Sequence, residues 1–145
     1  MNDVENASPY LRVNDATAAI AFYVEVFGAQ EKVRLAEPSG LIGHAELSLG
    51  PLTLMLSDEF PDFGVLGPPT EGGTGASIKL FVTDADEMAY RAVAAGAAML
   101  HEPADQFYGL RECTIRDPFG HHWIIAHRIE NVTDEDIQRR LAKKE

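Results

Sequence analysis

Cysteine is nearly absent from this 145-residue chain. Cys113 stands alone, so neither an internal disulfide framework nor a multi-cysteine zinc site can be assembled, and an intracellular, cytoplasmic address is expected. Long apolar runs are missing as well. None approaches the ~20 residues a membrane-spanning helix needs, so no membrane partner is expected. Positive charge is scarce: 12 Lys and Arg stand against 23 Asp and Glu, a formal net charge of −11, with the basic residues scattered rather than striped. Such a chain repels phosphate backbones, which excludes nucleic acid and leaves cationic or neutral small molecules as partners. The acidic start, Met1 to Asn6, lacks the charged-then-apolar order of a secretory signal and reads as a short flexible lead-in. What is present is a 46% apolar composition. A chain of this length buries about 68–70% of its unfolded surface, enough for one compact soluble domain without covalent or metal staples.

Two periodicities alternate along the sequence. Tyr10 to Val13 is strand-like, Asn14-Asp15 supplies an N-cap, and apolar residues at Ala16, Ala19, Ile20, Tyr23, Val26 and Phe27 predict a helix stopped at Gly28. Strands are expected over Gln30 to Leu35, Gly43 to Leu49 and Leu52 to Ser57, the last two joined by a Gly50-Pro51 turn. Asp58 to Gly75 is rich in proline and glycine and reads as a linker or mobile loop. The pattern then restarts: strand Ala76 to Val82, helix Ala85 to Ala95, and strands Ala98 to Leu100, Leu110 to Arg116 and His122 to His127. Asp117-Pro118-Phe119-Gly120 supplies a turn between the last two. A final helix over about 133–144 opens on Thr133-Asp134-Glu135-Asp136 and closes on Arg139-Arg140 and Lys143-Lys144, matching the helix dipole, and reads as a surface appendage.

The restart is an internal repeat. Leu11-Arg12-Val13-Asn14-Asp15-Ala16 aligns with Leu80-Phe81-Val82-Thr83-Asp84-Ala85, 69 residues apart. A period this long denotes two copies of one supersecondary unit, each burying a sheet, rather than a solenoid. The modules cover about 8–58 and 76–128, joined by 59–75.

Tandem βαβββ modules carrying Tyr10-Leu11-Arg12-Val13-Asn14-Asp15, Ala21-Phe22-Tyr23-Val24-Glu25-Val26-Phe27-Gly28 and Asp117-Pro118-Phe119-Gly120-His121 resemble the vicinal oxygen chelate superfamily, which includes glyoxalase I, extradiol dioxygenases and bleomycin resistance proteins. The resemblance implies an α+β fold in which each module curves a mixed sheet into a half-cup, commonly completed in a homodimer. It also implies a divalent metal held by four side chains, at positions that matching strand texts place at Ser8, Glu46, Ser77 and Ile124. Only Glu46 has the chemistry of a ligand, because isoleucine cannot coordinate and neutral serine hydroxyls are poor ligands for such ions. An alternative metal set is His44, Glu46 and His122, two imidazoles and a carboxylate.

The remaining candidates carry open alternatives. His44, Glu46 and Ser48 share one face of a strand, so Glu46 either faces solvent or lines the cup as a donor-binding carboxylate. His121 and His122 point to opposite faces; His122 shares parity with Ile124, whereas Trp123 belongs to the core. Arg111 either meets a ligand carboxylate or Glu46, or neutralises Glu112 or Asp105, and Phe107 and Tyr108 either form an apolar rim or pack. Asp58 and Phe60, in a segment mixing carboxylates and rings, suit a cationic ligand or simply cover a junction. Cys113 is expected to be a buried, inert thiol. The resulting expectation is a small-molecule-binding protein of the glyoxalase/bleomycin resistance type. It would need no cofactor and would sequester a small hydrophobic or cationic compound in a homodimeric cup. The alternatives are a metal-dependent lyase, isomerase or dioxygenase, or an interaction protein with only its charged C-terminal helix as support.

Overall fold

Alternating polar and apolar residues along the strands become two four-stranded mixed sheets, each with one face against a helix. The computed structural model describes residues 3–69 and 74–143. Among these, no helix is long and apolar enough to cross a membrane. The chain divides into two compact units, Met1–Gly72 and Gly73–Glu145, and the fold is α+β.

In the first unit, β1 (Tyr10–Val13), α1 (Ala16–Phe27), β2 (Gln30–Ala36), β3 (Ile42–Leu49) and β4 (Leu52–Asp58) give the order β1-β4-β3-β2, with only β1 and β4 parallel. The Asp15 side chain caps α1 through Ala18 N, 3.1 Å away. Ile20, Tyr23 and Val26 of α1 are buried on the side where Leu11, Val13, Ala45, Leu47, Leu54 and Leu56 leave the sheet. Each such large side chain contributes about 1.5–3 kcal/mol by leaving water.

The second unit repeats the plan with β5 (Ser77–Phe81), α2 (Ala85–Ala94), β6 (Ala98–Asp105), β7 (Leu110–Arg116) and β8 (His122–Arg128), in the order β5-β8-β7-β6, followed by α3 (Asp134–Lys143). The Asp84 side chain caps α2 through Glu87 N. The second strand of this module, β6, runs far beyond the expected Ala98 to Leu100. It carries Pro103, and a proline normally ends a central strand, but β6 is an edge strand whose pairing with β7 shifts register around residues 101–104, so the missing N–H breaks no regular ladder.

The segment read as a linker or mobile loop also differs in its described part. Pro61–Phe63 form a 3-10 turn, and Phe60 and Val65 exchange backbone hydrogen bonds of 2.7 and 3.1 Å. The Glu59 carboxylate accepts from Gly67 N at 2.8 Å, and Gly67 lies so close to β1 that a Cβ there would stand 2.3 Å from the Arg12 carbonyl oxygen. Residues 70–73 of that segment lie outside the described residues, as do Lys144 of the final helix and Met1 and Asn2 of the lead-in.

Candidate functional site

The helix-free face of each sheet gathers the polar side chains. In the first unit, Tyr10 pairs in register with Met55 and Arg12 with Ser57, while Met55 faces Glu46 across β3. Period-two alternation therefore places Tyr10, Arg12, His44, Glu46 and Ser57 together, opposite α1. They form a hydrogen-bonded chain. Tyr10 Oη lies 2.7 Å from His44 Nδ1, and His44 Nε2 lies 2.8 Å from Glu46 Oε2. An ionised Glu46 only accepts, so Nε2 donates to it and Nδ1 accepts the Tyr10 proton. The Arg12 guanidinium lies 4.1 Å from the Tyr10 ring centroid and donates to Ser57 Oγ at 2.7 Å. His44 and Glu46 are each about one-third exposed, at 27% and 31%, so this chain remains open to a ligand.

In the second unit the corresponding face carries Lys79, Phe81, Glu112, Thr114, His122 and Ile124. The turn before β7 adds Tyr108. That turn is fixed from two sides: Arg140 of α3 donates to the Phe107 carbonyl at 2.8 Å and pairs with Glu130, and Gly109, at φ +87°, sits where a Cβ would meet the Glu130 carbonyl at 2.6 Å. Although α3 buries no residue, it is thereby tied to the turn that presents Tyr108. Tyr108 Oη donates to Glu112 Oε1, and burial together with that carboxylate pushes the phenol up to about 12. The other carboxylate oxygen, Oε2, is buried and accepts no hydrogen bond; the Lys79 ammonium faces it 3.2 Å away.

Two expected ligand-binding residues have their polar atoms engaged within the protein, Arg111 in part by the Asp105 pairing that stood as its alternative. Asp58 ends β4, 5% exposed, with Oδ1 accepting from Ala16 N at 2.8 Å and Oδ2 from Ile42 N at 2.7 Å. Both oxygens serve the backbone, so it is not an exposed acid. Arg111 lies on the helix side of its sheet with Cys113 and Ile115, grips Asp86 through Nε and Nη2 at 2.7 and 2.9 Å, and reaches Asp105 at 3.0 Å. Its fork is filled, and the Arg111 hydrogen bonds hold the Asp86 carboxyl below its ordinary value. Phe60 remains half-buried at the head of its turn. Cys113 is buried, and burial pushes its thiol up to about 11.

The metal positions implied by the resemblance do not occupy matching places in the two modules. Glu46 pairs with Met55 and Ile124 pairs with Thr114, so the repeat equates Glu46 with Thr114 and Ile124 with Met55. His44 and Glu46 are brought together, whereas His122 opens β8 in the other unit beside Ser77 and Arg116. Among the described residues, no three His, Cys, Asp or Glu side chains converge as a metal site. Ser8, Ser77 and Ile124 offer no strong donor, so the implied set does not fit a divalent transition metal. Sequence reasoning overlooked Tyr10, Arg12, Lys79 and Phe81, although their alternation with Leu11, Val13, Ile78 and Leu80 was readable.

Paired βαβββ units with polar helix-free faces define a class of tandem-module folds, and sequence comparison identifies which one. Residues 4–125 match the Glyoxalase/Bleomycin resistance protein/Dioxygenase superfamily, and the chain belongs to it. It is 39% identical over 140 residues to an uncharacterized protein of Mycobacterium bovis, covering 94% of this chain and 92% of that one. The structure is similar to TioX from Micromonospora sp. ML1, with 28% identity and a TM-score of 0.62 over 85% of this chain and 99% of that one. It also shares its fold with the fosfomycin resistance protein FosX of Listeria monocytogenes, crystallised with Mn(II) and sulfate. The TM-score there is 0.67 at 18% identity, over 95% of this chain and 99% of that one.

Proposed function

We propose that this protein binds a small hydrophobic or cationic organic compound on the helix-free faces of its sheets without a divalent metal. The observation carrying the reading is the fate of Glu46. The one carboxylate in the implied ligand set is engaged by His44, and the other three positions hold Ser8, Ser77 and Ile124. A face presenting Tyr10, His44 and Glu46 offers a ring, a hydroxyl oxygen and a carboxylate, which suits recognition of an apolar body with a polar or positive handle. The net charge of −11 favours cationic ligands at long range. In this reading the protein is a homodimer, the assembly implied by the resemblance.

The test is metal analysis of protein purified without an affinity tag, alongside a crystal structure inspected for organic density on either sheet face. Metal-free protein with an organic molecule against Tyr10 or Tyr108 supports the reading. Stoichiometric nickel, zinc, manganese or iron that disappears in Glu46→Ala overturns it and restores a metal-dependent lyase, isomerase or dioxygenase.

A further inference from the structure

We infer that Phe81, Tyr108 and Glu112 form a cage for an organic ammonium group, and that Lys79 occupies this cage as a tethered stand-in until such a ligand arrives. The inference rests on the cationic-ligand reading above and gives it a place. The Lys79 ammonium lies 5.5 Å from the Phe81 ring centroid, 5.7 Å from that of Tyr108 and 3.2 Å from Glu112 Oε2. Two ring faces and a carboxylate around one nitrogen are the chemistry that recognises an ammonium ion.

The layering of the cluster permits exchange. The Glu112 side chain is 16% exposed at its base, whereas Lys79 is 36% exposed and Phe81 62% exposed on the wet side. Lys79 sits on a flexible four-carbon stem and can swing into water. With Lys79 gone Glu112 keeps the Tyr108 hydrogen bond but loses its counterion, and a carboxylate so placed is costly without one. The cage therefore trades one cation for another. Its buried Oε2, which accepts no hydrogen bond, selects among ligands: a primary or secondary ammonium donates an N–H there and a quaternary one does not.

Titration of the full chain with benzylammonium, followed through ring NMR resonances assigned to Phe81 and Tyr108, tests the inference. Lys79→Ala removes the competitor at an exposed strand position, and we expect benzylammonium to bind it about fivefold tighter than the parent protein. Lys79→Arg keeps a cation in place and should bind like the parent. Glu112→Gln, with its near-ultraviolet circular dichroism unchanged, should lose saturable shifts at both rings. Benzyltrimethylammonium should bind Lys79→Ala more weakly than benzylammonium. Equal affinity for the parent and Lys79→Ala, or no movement of either ring in any variant, overturns the cage. If the probe then saturates resonances of Tyr10, cation binding stands without the cage; if it binds no variant anywhere, the cationic-ligand reading falls with it.

Discussion

The two modules bury their cores by opposite means. At the repeat offset of 69, Ile20 and Tyr23 of α1 correspond to Ala89 and Ala92 of α2, while Leu54 of β4 corresponds to Trp123 of β8, and all six are fully buried. In the first module the helix supplies the bulk. In the second the helix is cut to alanine and the sheet supplies it through one indole. The indole returns part of the volume that the two alanines give up, in keeping with the close packing of interiors. The indole also has a polar duty: Nε1 donates to Asp117 Oδ2 at 2.8 Å, and Asp117 Oδ1 holds the following turn through Phe119 N and His121 N. Trp123→Ala should therefore be the most damaging single change, costing about 3–5 kcal/mol in urea unfolding from the cavity alone. Leu54→Ala should cost less, about 2–4 kcal/mol, because it removes a smaller side chain and no hydrogen bond. A Leu54→Ala loss as large as that of Trp123→Ala would show that the indole is not the larger contributor.

A second contrast lies at the helix starts. Asp58 and His127 stand 69 residues apart at the ends of equivalent strands, and each accepts the first backbone N–H of its module's helix: Asp58 Oδ1 from Ala16 N and His127 Nδ1 from Ala85 N, both at 2.8 Å. The solutions are unequal. Asp58 is buried, also binds Ile42 N, and places a carboxylate at the positive end of α1; His127 offers a single lone pair, which fixes its proton on Nε2. Asp58→Ala leaves two backbone donors unsatisfied and should cost about 3 kcal/mol, against about 1 kcal/mol for the half-buried His127→Ala. Both are measured by chemical denaturation. A His127→Ala cost as large as that of Asp58→Ala would show that the caps are equivalent.

These contrasts explain which features were legible in the sequence. The strand and helix order, the repeat and the core face of α1 follow from period and spacing, because burial imposes them locally. The β6 extension was hidden by Pro103, whose penalty depends on edge position, a property of the assembled sheet. Asp58 read as an exposed acid, and Arg111 was matched to Asp105 but not to Asp86, because the partners missed, Ala16 and Ile42 N–H or Asp86, lie 16 to 42 residues away. His44 and Glu46 shared a strand face and were found together. Tyr10 and Lys79 reach the same kind of place from the first strand of each module, through parallel pairing that no local pattern announces.

The smallest expected effect tests a pair present in one module alone. At the places of Asp86 and Arg111 the first module has Thr17 and Gly43, so only the second carries this bidentate bridge. Asp86 is held below its ordinary value of 3.8, chiefly by the Arg111 hydrogen bonds. A carboxylate with a depressed folded-state value stabilises the protein above its ordinary value, and that contribution is lost as pH falls through the folded one. Both partners are about one-third exposed, at 32% and 35%, so solvent screens most of the gain. Arg111→Met should thus lower Tm slightly at pH 7, and the gap from the parent protein should close as pH drops below about 4. Thr17→Asp with Gly43→Arg would ask whether the first module can host the same bridge. A gap that persists unchanged at pH 2.5 would assign the role of Arg111 to packing of its aliphatic stem rather than to charge.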